Sequence, residues 1–189
     1  MRKFVLALLL CLPAIANAAP WTLNTKESSI KVQVGYLGGK GVAVNFRQFN
    51  GPVDFDEKRP QNAKATIKVD SAKLETGLGF INNLVRSADY LDTARHPEIT
   101  FQLDRLTQTS KSTADITGRI TLRGITKPVK FTAVVFRYGP SKLNPDVFEA
   151  GFNLTGSIDR RDFGSVVNVP EVAPVLPVSI RLVMTSKPT

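Results

Sequence analysis

The sequence predicts an all-β protein of antiparallel strands, and three observations support this. Apolar and polar residues alternate with a period of two over eight or nine segments, a pattern typical of strands with one buried face. Short stretches rich in Gly, Pro, Asn or Ser separate the segments. Only one segment follows the spacing of a helix. Many short strands with such connections favour a sandwich or a barrel.

The strands are predicted one by one from the alternation. The segments are 30–36, 42–47, 53–56, 65–70, 99–104, 116–122, 129–135, 148–159 and 176–184. Turn residues stand between them at 38–41, 56–62, 108–111, 124–127 and 138–146. Gly51, Gly118 and Gly156 fall inside the strand patterns, where glycine often marks a bulge or a corner bend.

Two segments depart from the strand pattern. Phe80, Ile81, Leu84 and Val85 have the spacing of one face of a helix, so we expect a short helix over 79–87 near a barrel end. The stretch from 163 to 174 is apolar, irregular and contains proline. We expect it to form a flap over one end of the barrel.

The first 18 residues have the features of a cleaved signal peptide. A basic start is followed by an apolar run and by Ala16-Asn17-Ala18, a typical cleavage site. The apolar run is shorter than the roughly 20 residues that a membrane-spanning helix needs. The sequence therefore predicts secretion to the periplasm and a single mature domain, residues 19–189. Because Cys11 lies in the signal, this domain has no cysteine and no disulfide.

The charge of the mature chain is basic but scattered. Without Arg2 and Lys3, 23 Lys and Arg stand against 16 Asp and Glu, a formal charge of +7. Nucleic-acid-binding proteins concentrate basic residues on one element. Here no basic run is longer than two residues, the length of Arg160-Arg161. We therefore expect a solvated basic surface and no nucleic-acid partner.

Few residues in the mature chain are suited to catalysis or metal binding. A Ser-His-acid triad would have to use His96, which lies in a loop between Arg95 and Pro97, and the chain has no G-x-S-x-G motif. Transition-metal sites need several nitrogen or sulfur ligands. The sequence predicts no enzyme, no metal site and no cofactor.

The inward faces of the strands are almost wholly apolar. An eight-stranded barrel is either filled by such side chains or holds one small ligand, and periodicity favours neither a filled core nor an apolar tunnel. If there is a tunnel, the predicted lining residues are Val34, Phe46, Phe55, Ile67, Phe80, Leu84, Phe101, Leu103, Phe131, Ala133, Phe148, Phe152, Leu154 and Ile180.

Three motifs resemble those of the YceI-like family. The first is RSADYLD at 86–92 followed by HPEITF at 96–101, and the second is ITGRITLRGITKPV at 116–129. The third is Gly151-Phe152 followed by IDRRDFG at 158–164. The motifs occur in the family's order over essentially the whole mature chain. Asn82 and Leu84 replace the Asp and His that the family often has in this helix.

The resemblance implies a lipocalin-like barrel of eight antiparallel strands that holds a polyisoprenoid, an isoprenoid quinone or a similar long-chain amphiphile. It also implies that a homodimer is possible. Arg86, Arg160 and Arg161 are candidates for the head group, because guanidinium pairs well with phosphate. Alternatively, Arg86 pairs with Asp89 or Asp92.

Other functions remain open at this stage. They are a ligand-free envelope stress or interaction protein with a filled barrel and, less favoured, a lipid-modifying enzyme. An outer-membrane barrel is disfavoured, because one Trp and three Tyr do not suffice for aromatic girdles.

Overall fold

The computed structural model describes residues 21–56 and 58–186. The predicted signal peptide lies outside the described residues. The strands are β1 (Thr22–Leu23), β2 (Ser29–Tyr36), β3 (Gly39–Phe46), β4 (Phe49–Asn50), β5 (Val53–Asp54), β6 (Lys64–Asp70), β7 (Glu98–Gln108), β8 (Thr113–Leu122), β9 (Ile125–Pro140), β10 (Phe148–Asp159) and β11 (Val175–Ser186). The helix α1 spans Gly79–Arg86, and short 3₁₀ helices span Pro60–Asn62, Ser71–Lys73 and Arg160–Phe163.

The strands form one antiparallel sheet that curls into a nearly closed barrel. Their order is β3-β2-β11-β10-β9-β8-β7-β6-β4, with β1 on β11 and β5 on β6. Backbone pairing draws the two edges together: Asn45 of β3 and Glu75 exchange hydrogen bonds of 2.8 and 2.9 Å, and Trp21 forms a bridge with Val53. The predicted all-β antiparallel barrel with one short helix is confirmed.

The strand count is higher than the predicted eight because of three very short strands. Eight strands have seven or more residues, whereas β1, β4 and β5 have two each. The segment predicted at 53–56 is reduced to β5, since the chain turns away from the sheet towards Pro60. Gly51, with φ of 144°, makes the bend between β4 and β5 that the sequence predicted.

Nine of the buried apolar residues form two clusters. One contains Val44, Phe46, Phe49, Val69 and Leu74, and Val85 and Leu91 pack against it. The other contains Ile116, Phe131, Ala133 and Val178. The first cluster therefore anchors the segment that carries α1 to the barrel, and the second lies on β8, β9 and β11 of the wall.

The segment 164–174, which we call the flap, lies across one end of the barrel. Val172 forms a bridge with Tyr36. The backbone amides of Leu37 and Ala173 bond to Glu171 O and Gly35 O, at 2.8 and 3.0 Å. The flap thereby joins the β10–β11 side of the barrel to the β2–β3 turn.

Candidate ligand-binding cavity

The barrel encloses a cavity of about 1020 Å³. Its wall is made by the inward-facing residues of the eight long strands, because alternate residues of a strand face the same side. Ile81, Leu84 and Val85 of α1 complete the wall at the flap end. The sequence left a filled core and a tunnel as alternatives, and the structure contains a tunnel.

Twelve of the predicted lining residues lie on the cavity wall. They are Val34, Phe46, Phe55, Ile67, Leu84, Phe101, Leu103, Phe131, Ala133, Phe152, Leu154 and Ile180. The period-two alternation places all but one of them, because each strand has one face towards the barrel axis. Leu84 is placed there by the helix.

Phe80 and Phe148 lie elsewhere. Phe80 is 71% exposed, because successive helical residues are turned by roughly 100° and the helix directs Ile81 and Val85 inward. Phe148 opens β10, and its ring packs edge-on against Tyr138 and Trp21, with centroids 4.9 and 6.4 Å apart. Contrary to the prediction, neither Phe80 nor Phe148 therefore lines the cavity.

Two glycines keep the middle of the cavity open. The ring of Phe101 lies over Gly118, and the ring of Phe131 lies over Gly156. A Cβ atom at either glycine would come within 2.6 Å of the ring. The glycines therefore let both rings lie against the barrel wall. Gly118 also stands at a register shift between β7 and β8, as expected for a bulge.

Polar residues occur at the two ends of the cavity. At the flap end they include Tyr90, Arg160, Ser165 and Asn168. At the other end, which we call the turn end, they are Lys58, Lys64, Gln108, Ser110, Lys111, Ser112, Thr113 and Tyr138. A long molecule in this cavity would thus have apolar surroundings along its length and hydrogen-bonding groups near its ends.

Arg160 is a structural centre of the flap. It is only 4% exposed, and its guanidinium donates to the carbonyls of Ser165, Val167, Val172 and Ala173 at 2.8–3.2 Å. A fifth bond reaches the Ser165 hydroxyl at 3.3 Å. Burial lowers the pKa of this guanidinium. Because these neutral oxygens occupy its donors, Arg160 organises the flap and has no fork left for a phosphate.

The other two head-group candidates are also engaged by the protein. Arg86 donates from Nε to Ala72 O and from Nη2 to Leu74 O, at 2.8 and 3.0 Å, and does not use Asp89 or Asp92. Arg161 forms a forked pair with Asp159, with Nη2 to Oδ2 at 2.6 Å. Arg161 holds the pKa of Asp159 down from 3.8 to about 2. Arg86 and Arg161 thus have structural partners of their own.

Sequence reasoning missed the polar groups that do face the cavity ends. The Tyr90 hydroxyl accepts a hydrogen bond of 3.0 Å from Asn168 Nδ2, and both residues line the cavity. They are 78 positions apart in loops, where periodicity carries no information. The three lysines of the turn end also come from loops or from the first residue of a strand.

His96 lies outside the cavity lining. Its ring is beside Gly124, its backbone amide donates to Asp92 O at 2.9 Å, and its carbonyl accepts from the Ser71 hydroxyl at 3.0 Å. Within residues 21–56 and 58–186, no three His, Cys, Asp or Glu side chains gather as they would around a metal ion. No helix in the described part of the chain has the length and hydropathy to cross a membrane.

The family model of the YceI-like domain matches residues 21–184. The chain belongs to the YceI-like family. This confirms the resemblance that the three motifs indicated. Among curated relatives, a UPF0312 protein of Vibrio parahaemolyticus is 31% identical over 160 residues, which cover 84% of each chain.

Solved structures share the fold at low identity. The crystal structure of Burkholderia cenocepacia BcnA superposes with a TM-score of 0.75 at 20% identity, covering 85% of this chain and 98% of that one. A domain from Saccharophagus degradans has a TM-score of 0.65 at 15% identity, covering 90% of this chain and 100% of that one. That domain is described as polyisoprenoid-binding and as implicated in plant cell wall breakdown.

Proposed function

We propose that this YceI-like protein is a periplasmic carrier or binding protein for one long-chain apolar lipid. A polyisoprenoid, an isoprenoid quinone or a similar amphiphile suits the site. The observation that carries the proposal is the continuous apolar cavity of about 1020 Å³ inside the barrel. Its volume lies at the upper end of the range of ligand pockets, roughly 300–1,000 Å³. The predicted signal peptide supports the periplasmic location.

The cavity suits a chain better than a compact polar molecule. Transfer of a lipid chain from water into such a wall contributes about 0.8 kcal/mol per buried CH₂, less the cost of immobilising the chain. This energy does not depend on a head group. We therefore expect selectivity for length and shape, with Tyr90 and Asn168 or the turn-end residues offering hydrogen bonds to a polar end.

The lining of the cavity supports lipid binding better than catalysis. An enzyme site needs titratable groups converging on a reacting atom. The middle of this cavity is lined by aliphatic and phenylalanine side chains, and its ionisable groups lie at the two ends. The lone histidine lies outside the lining.

Native mass spectrometry tests the proposal. The mature protein is purified from a bacterial periplasm without detergent, and small molecules are extracted and identified. We expect an additional mass of lipid size that organic solvent removes. A bare protein mass, with no uptake of added prenyl lipids, would count against the proposal.

A matched pair of variants makes this test specific to the cavity. Ala133 is 5% exposed and lines the wall, whereas the next residue along β9, Thr132, is exposed on the outer face. We expect Ala133→Trp to obstruct the cavity and abolish lipid uptake, and Thr132→Trp to bind like wild type. Circular dichroism verifies that both fold. Equal lipid uptake by folded Ala133→Trp would place the ligand elsewhere.

A further inference from the structure

Large exposed apolar side chains gather around the flap end of the barrel. Six of them, which we call the apolar rim, come from the β2–β3 turn, from α1 with the residue before it, and from the flap. They are Tyr36, Leu37, Leu78, Phe80, Leu84 and Val166, with exposures of 46–71%. Single exposed apolar residues are ordinary, but a cluster of this kind marks an interaction surface.

The rim is continuous with the mouth of the cavity. Tyr36 and Leu84 belong to both the rim and the cavity lining. Val166 follows Ser165, which lines the cavity as well. The Asn45–Glu75 pairing holds β3 beside the segment that leads into α1, and Val85 packs on the buried cluster of β3. An apolar molecule leaving the cavity here would meet apolar surface first.

The orientation of α1 explains why part of its apolar face is left exposed and is not packed against the barrel. Its apolar stripe spans roughly 140° from Phe80 to Val85 at 100° per residue. Ile81 and Val85 occupy the half that faces the barrel, and Leu84 stands at its border. Phe80, the most exposed residue of the rim, occupies the other half. The helix thus presents one apolar half to the cavity and one outward.

The charges of the rim elements favour an anionic surface as its occupant. From Ser28 to Val53 the chain has no Asp or Glu and carries Lys31, Lys40 and Arg47. From 76 to 88, the segment with α1, the only charged residue is Arg86. Three acidic residues adjoin these segments: Glu75, whose carboxylate lies 3.9 Å from Arg47 Nε, Asp89, whose carbonyl accepts from the Ser165 hydroxyl, and Glu171, whose carbonyl binds the Leu37 amide. The predicted mature chain has a formal charge of +7, so two copies would repel each other at long range.

We propose that the apolar rim docks into the surface of an anionic phospholipid bilayer. Phe80, Leu37 and their neighbours enter the interface, while Lys40, beside the β2–β3 turn, stays at the level of the phosphates. The cavity mouth then opens directly onto lipid. In the docked state a lipid passes between the bilayer and the cavity without crossing water. This role of the docking rests on the proposed function.

Vesicle flotation tests the docking with two substitutions that leave the cavity lining intact. Neither Leu37 nor Phe80 lines the cavity. Leu37 has φ of 48°, which Asn tolerates well, and Gln is a good helix former at 80. We expect the Leu37→Asn/Phe80→Gln double variant to bind phosphatidylglycerol-containing vesicles about tenfold more weakly than wild type. Leu143→Asn is the matched control, because Leu143 is 94% exposed on the β9–β10 loop.

The outcomes separate the docking from the lipid-binding function. Uptake of a prenyl lipid from a soluble cyclodextrin complex is measured in parallel, and the double variant should retain it. Unaltered vesicle binding by the double variant, or no vesicle binding by wild type, would overturn the docking while leaving the carrier function untouched.

Sedimentation analysis adds a further test. If wild type is a dimer and the double variant a monomer, a second copy covers the rim and the proposal is wrong.

Discussion

At the residue scale, Arg160 shows how a charged side chain can serve the fold of a binding site. Its five hydrogen bonds end on neutral oxygens of Ser165, Val167, Val172 and Ala173 in the flap. Tyr90 lies against the guanidinium, 5.8 Å from ring centroid to Cζ. A buried cation is tolerated only when its donors are satisfied. The guanidinium therefore satisfies the flap carbonyls, and the carbonyls satisfy the buried guanidinium.

We expect Arg160→Gln to destabilise the protein by roughly 3 kcal/mol, because several buried carbonyls lose their donors at once. Arg160→Lys keeps the charge but lacks the planar fork, so its loss should be smaller. Urea unfolding of the mature protein measures both. Arg119→Gln, which removes an exposed pair with Asp104, is the control and should change stability little. A stability of Arg160→Gln equal to that of the control would contradict the role of Arg160 in the flap.

The Asp159 carboxylate should impose a pH dependence on stability. Hydrogen bonds from the Arg161 side chain and amide lower its pKa from 3.8 to about 2. A depressed pKa stabilises the fold above the unfolded value, and that contribution disappears as pH falls from about 4 to 2. We expect NMR titration of Arg161→Ala to show the Asp159 pKa raised part of the way to 3.8, since the amide bond remains. An unchanged titration would assign the shift to another cause.

At the element scale, α1 and the flap show what the sequence can and cannot predict. The strands follow from alternation because a one-sided core imposes a period of two, and α1 follows from its apolar spacing to within one residue. The rotation of a short helix about its axis is not encoded in that spacing, so the sequence wrongly predicts Phe80 on the wall although it faces solvent. Arg86 and Arg160 bind carbonyls 5–14 positions away and Tyr90 binds Asn168, 78 positions away. All these partners lie outside the strands, where periodicity carries no information.

Side-chain bonds from Asn82 and Arg86 tie α1 to the segment 72–76 that precedes it. Asn82 Oδ1 accepts from the Thr76 amide and hydroxyl at 2.8 and 2.7 Å, and Arg86 donates to Ala72 and Leu74. We expect Arg86→Ala to accelerate amide hydrogen exchange over 79–86 while the exchange of β7–β10 stays slow. Hydrogen-exchange mass spectrometry measures this. Asn83→Ala, at an exposed position of the same helix, is the control, and an equal acceleration there would refute the special role of Arg86.

At the scale of the whole molecule, the empty cavity lowers the stability of the folded protein, and a bound ligand can offset this loss. Voids in a core forfeit packing energy in proportion to their volume. The barrel maintains its opening with Gly118 and Gly156, which allow the rings of Phe101 and Phe131 to lie against the wall. A Val side chain at Gly118 would bring its Cβ atom into a clash with the Gln102 carbonyl oxygen and to 2.6 Å from the Phe101 ring. We expect such overpacking to cost about 1–3 kcal/mol in urea unfolding, whereas a loss of lipid uptake without destabilisation would show that the ring has simply moved into the cavity.

The same reasoning predicts how strongly a lipid stabilises the barrel. A ligand that binds only the folded state adds about 2.7 kcal/mol at a concentration 100 times its Kd, which corresponds to a Tm increase of roughly 5–10 °C for a chain of this size. We expect this increase when delipidated wild type receives a long prenyl lipid from a soluble complex. Thr132→Trp should show the same increase and folded Ala133→Trp none, because only residue 133 of β9 faces the cavity. An equal increase in both variants would mean that the lipid stabilises the outer surface of the barrel and leaves the cavity unused.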